Sequence, residues 1–299
     1  MELFMKIVSL QLLNRKRMLI FNTNNNLISH LNSIKTAGSS IGFVPTMGAL
    51  HEGHLSLLKA AMSQNSIVVI SIFVNPTQFN NPEDLAKYPR TLERDIEKIQ
   101  SVSEKIIIYA PTVADIYDGK TVSKHFDFDG LENQMEGKFR PGHFDGVGTI
   151  VKRLFEIVKP NYAYFGEKDY QQLQIIKKMV TKLKIPVQIV GCPIHREPNG
   201  LAMSSRNERL SANERKEAAI IFKILKQSQQ LFKTKSATAV TAWVKKNIEV
   251  SQTFKLEYFQ IADEATLLPC IRKNKSKKYR AFIAVFVNKI RLIDTISLN

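Results

Sequence analysis

The sequence predicts an α/β fold in which helices wrap a parallel sheet, followed by a smaller C-terminal α+β domain. Two observations lead to this prediction. Over the first two-thirds of the chain, apolar β-branched runs alternate with amphipathic segments of helix length, which is typical of parallel strands joined by crossover helices. After Asn207 the pattern changes, because two helical segments come first and strand-like segments follow them.

The elements of the first part follow from short apolar runs and longer amphipathic segments. Strands are expected at 41–45, 67–73, 106–109, 163–165 and 187–190. Helices are expected at 53–64, 91–101, 146–158 and 169–183. This alternation is that of a Rossmann-like domain, in which ligands bind at the carboxyl ends of the strands. We therefore expect the site in the loops that leave these strands.

We divide the 299 residues into three segments. Residues 18–194 are expected to form the Rossmann-like nucleotide-binding catalytic domain, and residues 195–299 a smaller α+β lid domain. Residues 1–17 are interpreted as a disordered extension or a mis-called start, because their basic residues follow the short apolar stretch and no small-residue cleavage site is present. The elements expected in the lid domain are helices at 212–232 and 237–249 and strands near 255–261, 281–287 and 290–294.

The composition indicates a cytoplasmic protein. No run approaches 18 consecutive apolar residues, so no transmembrane span and no membrane partner are expected. The two cysteines, Cys192 and Cys270, fit a reducing cytosol rather than a disulfide framework.

The charge is concentrated near the C-terminus. Of the formal net charge of +16, most lies in residues 201–299, which carry 19 basic and 8 acidic side chains. The densest run, 272–280, is typical of a nucleic-acid contact or of a solvated turn between strands. Strand-like segments on both sides favour the turn, and with Tyr279 as its single aromatic residue the run lacks a stacking surface. We expect no nucleic-acid partner.

Two histidines follow the first central strand. The segment 46–54 contains a glycine turn and leads into a helical run, and His51 and His54 are three residues apart, so they share one helix face. Gly53 between them lets a ligand approach the backbone. Imidazoles at the positive end of a helix suit a polyphosphate. A metal pair or two surface histidines are the alternatives, although helical metal ligands are more often four residues apart with acidic support.

A second motif lies in the loop 200–207. Ser204, Ser205 and Arg206 place two hydroxyls and a guanidinium in three consecutive residues. The hydroxyls can donate hydrogen bonds to phosphates and the arginine can bind them with two parallel ones. Such a loop suits a mobile cover over a phosphate group.

In this order and about 150 residues apart, the two motifs resemble the HIGH and KMSKS pair of the nucleotidyltransferase superfamily. Five segments narrow the resemblance to the pantothenate synthetase (pantoate–β-alanine ligase) family. They are 45–54, 73–79, 88–91, 165–172 and 203–207, and the similarity runs from about Met18 to the C-terminus.

The resemblance implies an ATP-dependent condensation of (R)-pantoate with β-alanine to pantothenate, through pantoyl adenylate, with release of pyrophosphate and AMP. Both steps need positioning and charge stabilisation rather than a protein nucleophile. The absence of a G-x-S-x-G motif agrees with this. The family further implies a homodimer whose partners are these small molecules.

The resemblance also assigns roles to individual residues. Catalytic roles are implied for His54, His51, Lys168, Arg206, Ser204 and Ser205. ATP contacts are implied for Met47, Gly48, Ala49, Leu50, His51, Glu52, Gly53, His54, Gly166, Glu167, Lys168, Asp169, His195, Met203, Ser204, Ser205 and Arg206. Gln78 and Gln172 are assigned to pantoate, and Gln78 also to β-alanine. Asp169 has a further, purely structural interpretation as a helix N-cap.

Three points stay open. Mg²⁺ is implied by the ATP chemistry, with Asp95 as the candidate ligand, although Asp95 is equally expected as a solvated residue on an exposed helix face. Glu136, Arg140 and His143 match a family segment near the site, but the sequence does not separate their roles. His195 stands where the family usually has a small apolar residue that contacts adenine through its backbone.

Two rival functions are compatible with parts of the sequence. The basic C-terminal third suggests a nucleic-acid-binding protein or a tRNA-linked synthetase, but no large anticodon-binding appendage is present. An adenylyltransferase acting on nicotinamide mononucleotide would share the histidine motif, but not Gln78, Gln172 and the loop 203–207 in this form.

Overall fold

The structure is a computed structural model that describes residues 18–117, 119–248 and 253–299. The interpretation of residues 1–17 as an extension or a mis-called start lies outside these described residues.

A six-stranded parallel sheet forms the first part of the described chain, in the order β1-β4-β3-β2-β5-β6. Its strands are β1 (Ile20–Phe21), β2 (Ile41–Thr46), β3 (Ile67–Ile72), β4 (Ile107–Tyr109), β5 (Tyr162–Gly166) and β6 (Gln188–Cys192). Phe43 belongs to the core on one face of the sheet and Val44 to the core on the other. Both side chains are fully buried, as expected for a central strand covered by helices on both sides.

The chain reverses its direction across the sheet at β2, because β3 lies on one side of β2 and β5 on the other. Phe43 is in register with Val69 of β3 and with Ala163 of β5. The carboxyl ends of β2 and β5 therefore lie side by side. A crevice at such a reversal is where ligands bind in doubly wound sheets.

Helices cover this sheet. They are α1 (Asn24–Ile34), α2 (Glu52–Gln64), α3 (Pro82–Ala86), α4 (Leu92–Val102), α5 (Val113–Tyr117), α6 (Met135–Phe139), α7 (His143–Val158) and α8 (Tyr170–Lys182). In α7, Phe144, Val147, Val151 and Leu154 recur every three or four residues and are at most 5% exposed. This spacing produces one apolar stripe, and each of these side chains contributes about 1.5–3 kcal/mol by burial.

The C-terminal part is a separate antiparallel sheet with helices. Its elements are α9 (Ala212–Glu217), α10 (Ile220–Thr234), α11 (Ala237–Ile248), β7 (Phe254–Asp263), β8 (Tyr279–Val287) and β9 (Ile290–Ser297). Leu225 of α10 and Val240 and Val244 of α11 are fully buried in one core with the strands. The predicted fold class is confirmed, whereas the domain boundary at 194/195 stays a prediction.

Some elements differ from the sequence-based prediction. The helix expected at 212–232 is interrupted between α9 and α10. β1 was not predicted, because a two-residue strand has no measurable period, and α1, α3, α5 and α6 were not predicted either. The basic run connects β7 and β8 and is exposed up to Lys278, as expected of a solvated turn, but Arg280 is buried. Within the described ranges, no helix is long and apolar enough to span a bilayer.

Candidate active site

A cleft with a volume of about 230 Å³ lies at the carboxyl ends of β2 and β5. A neighbouring gap of about 30 Å³ has room for water rather than for a ligand. The predicted residues that line the cleft are Met47, His51, Gly53, His54, Gln78, Gly166, Lys168, Asp169, Gln172, His195, Met203, Ser204, Ser205 and Arg206. Residues predicted from distant segments thus meet in one place.

Five predicted ATP contacts do not line this cleft. They are Gly48, Ala49, Leu50, Glu52 and Glu167. Leu50 is buried in the core, and Glu52 is exposed on α2. The assignment of individual ATP contacts stays a prediction.

His51 and His54 form a close pair at the start of α2. The backbone N–H of His51 donates to Nδ1 of His54 over 3.3 Å, and the two ring centroids are 4.0 Å apart. Because Nδ1 accepts this bond, the neutral ring of His54 carries its proton on Nε2. Nε2–H is therefore the hydrogen-bond donor that His54 keeps for a ligand.

Both imidazoles are neutral near pH 7. Burial lowers the pKa of His51 to about 2, and the charges of His54 and Lys168 add to this effect. Burial also lowers the pKa of His54 to about 4, although the carboxylate of Asp169 opposes the shift. The pair is suited to bind phosphate as hydrogen-bond donors rather than as two full positive charges.

Gly53 is required by the histidine pair itself. A Cβ atom at this position would lie 2.9 Å from two ring atoms of His51 and 3.6 Å from Cβ of His195. Gly53 also lines the cleft, so its role in letting a ligand approach the backbone stays a prediction. A side chain at residue 53 would displace the imidazole.

Asp95 anchors the turn between β2 and α2. Its two carboxylate oxygens accept the backbone N–H groups of Ala49, at 2.9 Å, and Leu50, at 2.7 Å. Gly48 and Ala49 both have positive φ, 80° and 50°, and these two bonds hold that turn. Asp95 is fully buried, so the expectation of a solvated residue on an exposed face is wrong.

The residues described here do not fit a protein-held metal site. Among residues 18–117, 119–248 and 253–299, no group of three or more His, Cys, Asp or Glu side chains could hold a metal ion. Asp95 uses both oxygens for backbone amides, which argues against its predicted metal role. Within the same ranges, His51 and His54 do not belong to such a group either.

Gln78 lies at the end of a short 3-10 helix, Pro76–Gln78, that follows β3. Its Oε1 accepts from Nδ2 of Asn75 over 3.2 Å, and its Nε2 donates to the sulfur of Met47 over 2.9 Å. Asn75, itself 1% exposed, also donates to the carbonyl of Gly146. These contacts fix the amide of Gln78 within the cleft, and the sequence did not single out Asn75 for this task.

His143 and Arg140 hold the backbone of Gln78. Nδ1 of His143 is 2.8 Å from the Gln78 carbonyl, Nη2 of Arg140 donates to the same oxygen over 3.2 Å, and Nη1 of Arg140 lies 3.2 Å from Nε2 of His143. Arginine only donates and a carbonyl only accepts, so His143 is neutral with its proton on Nδ1. Burial, reinforced by the charge of Arg140, lowers the pKa of His143 to about 3.

Glu136 ties this segment to the C-terminal sheet. Arg291 of β9 donates two hydrogen bonds to its carboxylate, at 2.7 and 2.8 Å, and the hydroxyl of Tyr258 donates a third, at 2.6 Å. Burial would raise the pKa of Glu136, but the bonds and charge of Arg291 lower it to about 2. The carboxylate stays ionised and bridges the two parts of the chain.

The segment after β5 brings Lys168 and Gln172 to the cleft. The side chain of Lys168 is 18% exposed, and its Nζ lies 3.6 Å from the Asp169 carboxylate. Asp169 is the N-cap residue of α8, as predicted, but its side chain makes no capping hydrogen bond. Gln171, one residue before Gln172, turns away and bonds the carbonyls of Leu131 and Gln134.

The loop that carries the two serines closes one side of the cleft. Ser205 Oγ donates to the carbonyl of Ala49 over 3.1 Å, and the backbone N–H of Met203 donates to the carbonyl of His195 over 3.0 Å. Arg206 forms an ion pair with Asp84 at 2.7 Å. The loop is thus fixed to the histidine turn on one side and to α3 on the other.

Known proteins are similar to this chain over nearly its whole length. The family model described as pantoate-beta-alanine ligase matches residues 19–297. Pantothenate synthetase of Flavobacterium psychrophilum is 66% identical over 281 residues, which are 94% of this chain and 100% of that protein. The crystal structure of pantothenate synthetase from Thermus thermophilus superposes with a TM-score of 0.86 at 38% identity, covering 94% of this chain and 99% of that one. The crystal structure of pantoate-beta-alanine ligase from Francisella tularensis superposes with a TM-score of 0.79 at 38% identity, covering 94% of this chain and 98% of that one.

The fold and the cleft define a nucleotide-binding α/β enzyme in which a histidine pair opens the helix after a central strand. The chain belongs to the pantoate–β-alanine ligase family, since the family match spans nearly all of it. Its activity is the ATP-dependent synthesis of pantothenate from pantoate and β-alanine.

Proposed function

We propose that the cleft carries out the reaction in two steps. A carboxylate oxygen of pantoate attacks the α-phosphorus of ATP, the bond to the bridging oxygen breaks, and pyrophosphate leaves. The amine of β-alanine, having lost a proton, then attacks the acyl carbon of pantoyl adenylate and expels AMP. The observation that carries this proposal is that the close pair His51 and His54 and the amides of Gln78 and Gln172 line one cleft.

In this proposal the histidines serve the phosphates. Nε2–H of His54 and the ring of His51 donate hydrogen bonds as negative charge builds at the α-phosphate, a kind of contact that is worth about a hundred- to a thousandfold in rate. Lys168 and Arg206 supply positive charge, and Ser204 and Ser205 supply hydroxyl donors.

The two glutamines serve pantoate. An amide can donate and accept, so it suits a molecule with hydroxyls and a carboxylate. The Francisella tularensis relative was solved in complex with β,γ-ATP and β-alanine, which supports ATP and β-alanine as ligands of the same kind of cleft here.

We also propose that Mg²⁺ arrives with ATP, held by phosphate oxygens and water, because the described residues form no cluster for it. A homodimer and a cytoplasmic location are further proposals that rest on the family.

Two assays test the proposed function. AMP should form only when ATP, pantoate and β-alanine are all present. Labelled pyrophosphate should exchange into ATP with pantoate alone, because the adenylate forms before the amine enters. Exchange that required β-alanine would contradict the two-step order. Exchange with nicotinamide mononucleotide instead of pantoate would contradict the proposal that pantoate is the substrate.

A further inference from the structure

One carboxylate is shared by two arginines at the edge of the cleft. Oδ2 of Asp84 lies 2.7 Å from Nη2 of Arg206, and Oδ1 lies 3.0 Å from Nη1 of Arg209. All three side chains are about a quarter exposed, with values of 26% for Asp84, 26% for Arg206 and 27% for Arg209. Each arginine thus has its own carboxylate oxygen.

Local structure explains why both arginines reach the same group. They belong to the 3-10 helix Ser205–Arg209, where residues three apart lie directly above one another on one face. Asp84 belongs to α3, more than 120 residues earlier in the chain, so the three-residue cluster joins α3 to the serine loop. Only Arg206 of the two arginines also lines the cleft.

Asp84 and bound ATP would compete for the guanidinium of Arg206. In the proposed function Arg206 binds the phosphates of ATP, but in the structure its guanidinium is paired with Asp84. If Arg206 were its only partner, moving the guanidinium to a phosphate would leave a partly buried carboxylate unpaired, which is costly. Arg209 removes that cost, because it stays on the other oxygen and keeps Asp84 paired. Arg206 and Arg209 together lower the pKa of Asp84 against the effect of burial, so the carboxylate is ionised at neutral pH.

We propose that Asp84 holds Arg206 at the edge of the cleft until ATP binds, and that Arg209 is the second partner that allows Asp84 to release it. Both are positioning residues that act through Arg206. The inference rests on the proposed function in one respect, the binding of ATP phosphates by Arg206.

The test is the affinity for ATP without pantoate, measured by calorimetry on the full chain. Arg209→Gln should weaken ATP binding about five- to tenfold, because Asp84 then depends on Arg206 alone. Adding Asp84→Asn to that variant should return the affinity to within about twofold of the parent. Arg209→Lys keeps a positive charge and should show a smaller loss than Arg209→Gln.

A matched control separates pairing from overall charge. Glu83 neighbours Asp84 on α3 but is exposed and pairs with Lys87. The variant Glu83→Gln with Arg209→Gln has the same net charge as Asp84→Asn with Arg209→Gln, so a general charge effect would rescue both equally. The proposal expects rescue by Asp84→Asn only. Melting temperatures confirm that each variant is folded.

Three results would overturn the inference: unchanged affinity in Arg209→Gln, additive losses in its combination with Asp84→Asn, or equal rescue by Glu83→Gln. These results are distinguishable from failure of the proposed function. If the parent binds ATP but does not make pantothenate, the reaction assignment fails while the affinity series still tests the pairing. If the parent does not bind ATP, both fail.

Discussion

The imidazole of His143 donates its Nδ1–H to the backbone carbonyl of Gln78 over 2.8 Å, and both residues are buried. Arg140 supports the same carbonyl and is itself within 3.6 Å of Glu136, which Arg291 of the C-terminal sheet holds from the other side. A chain of polar contacts therefore runs from the C-terminal sheet to the residue proposed to bind pantoate.

We expect His143→Leu to weaken the binding of pantoate more than the binding of ATP. The substitution removes the hydrogen bond from His143 to the buried carbonyl of Gln78. This should lower the free energy of unfolding by about 1–3 kcal/mol and make Gln78 more mobile. The KM for pantoate should rise about tenfold, while ATP affinity stays within about twofold. His125→Leu is the control, because His125 is an exposed histidine paired with Asp145. Equal losses for the two substrates would contradict a specific effect on Gln78.

We expect acid to destabilise the protein through its buried histidines. The folded-state pKa of His143, about 3, is below the unfolded value of 6.5, so the unfolded chain binds more protons as the pH falls. The contribution of His143 to the free energy of unfolding is complete above about pH 7 and is lost progressively below it, and the loss amounts to about 1 kcal/mol at pH 5.5.

Urea unfolding at pH 7.5 and pH 5.5 measures this effect. His143→Leu should lose less stability on acidification than the parent. Asp145 raises the pKa of His125, so protonation of that histidine favours the folded state as the pH falls. On acidification, His125→Leu should therefore lose at least as much free energy of unfolding as the parent. A parent and a His143→Leu variant with the same pH dependence would show that His143 is charged in the folded protein.

We expect His54→Ala to fold and to lose about two to three decades of pyrophosphate exchange, because it removes a donor that acts on the developing charge. Circular dichroism checks the fold, and initial rates at saturating ATP and pantoate measure the loss. A loss of less than tenfold in a folded protein would remove His54 from the proposed mechanism.

Local sequence patterns were sufficient for most of the parallel sheet and for the motifs at 46–54 and 200–207, whereas Gln78 and Gln172 came from the family resemblance. His51 and His54 are three residues apart on one helix, and that spacing survives in any arrangement of the rest of the chain. The strands β2 to β5 were recognisable because each is mostly a run of apolar residues with buried side chains. β6 was recognisable from Ile189 and Val190, although only Cys192 of this strand is buried. The predicted bounds of all five agree with the structure to within two residues.

Pairs between distant segments were beyond such patterns. Asp84 pairs with Arg206, and Glu136 pairs with Arg291 across more than 150 residues. The sequence around a charged residue does not indicate which distant residue it will pair with after folding. Arg280 illustrates the same limit, because it belongs to a basic run that looked solvated, yet it is buried against Tyr170 and pairs with Glu264.

Asp95 was predicted as a magnesium ligand, and its variant Asp95→Asn tests the role that the structure indicates instead. An asparagine keeps one acceptor but turns an NH₂ group toward the backbone N–H of Ala49 or Leu50. We expect a loss of about 1–3 kcal/mol in the free energy of unfolding. The Mg²⁺ concentration for half-maximal activity should stay within about twofold of the parent, because the side chain does not contact the ion. Glu97→Gln, an exposed change on the same helix, should alter neither quantity. If Asp95→Asn had unchanged stability and an activity that only excess Mg²⁺ restored, Asp95 would be a magnesium ligand as first predicted.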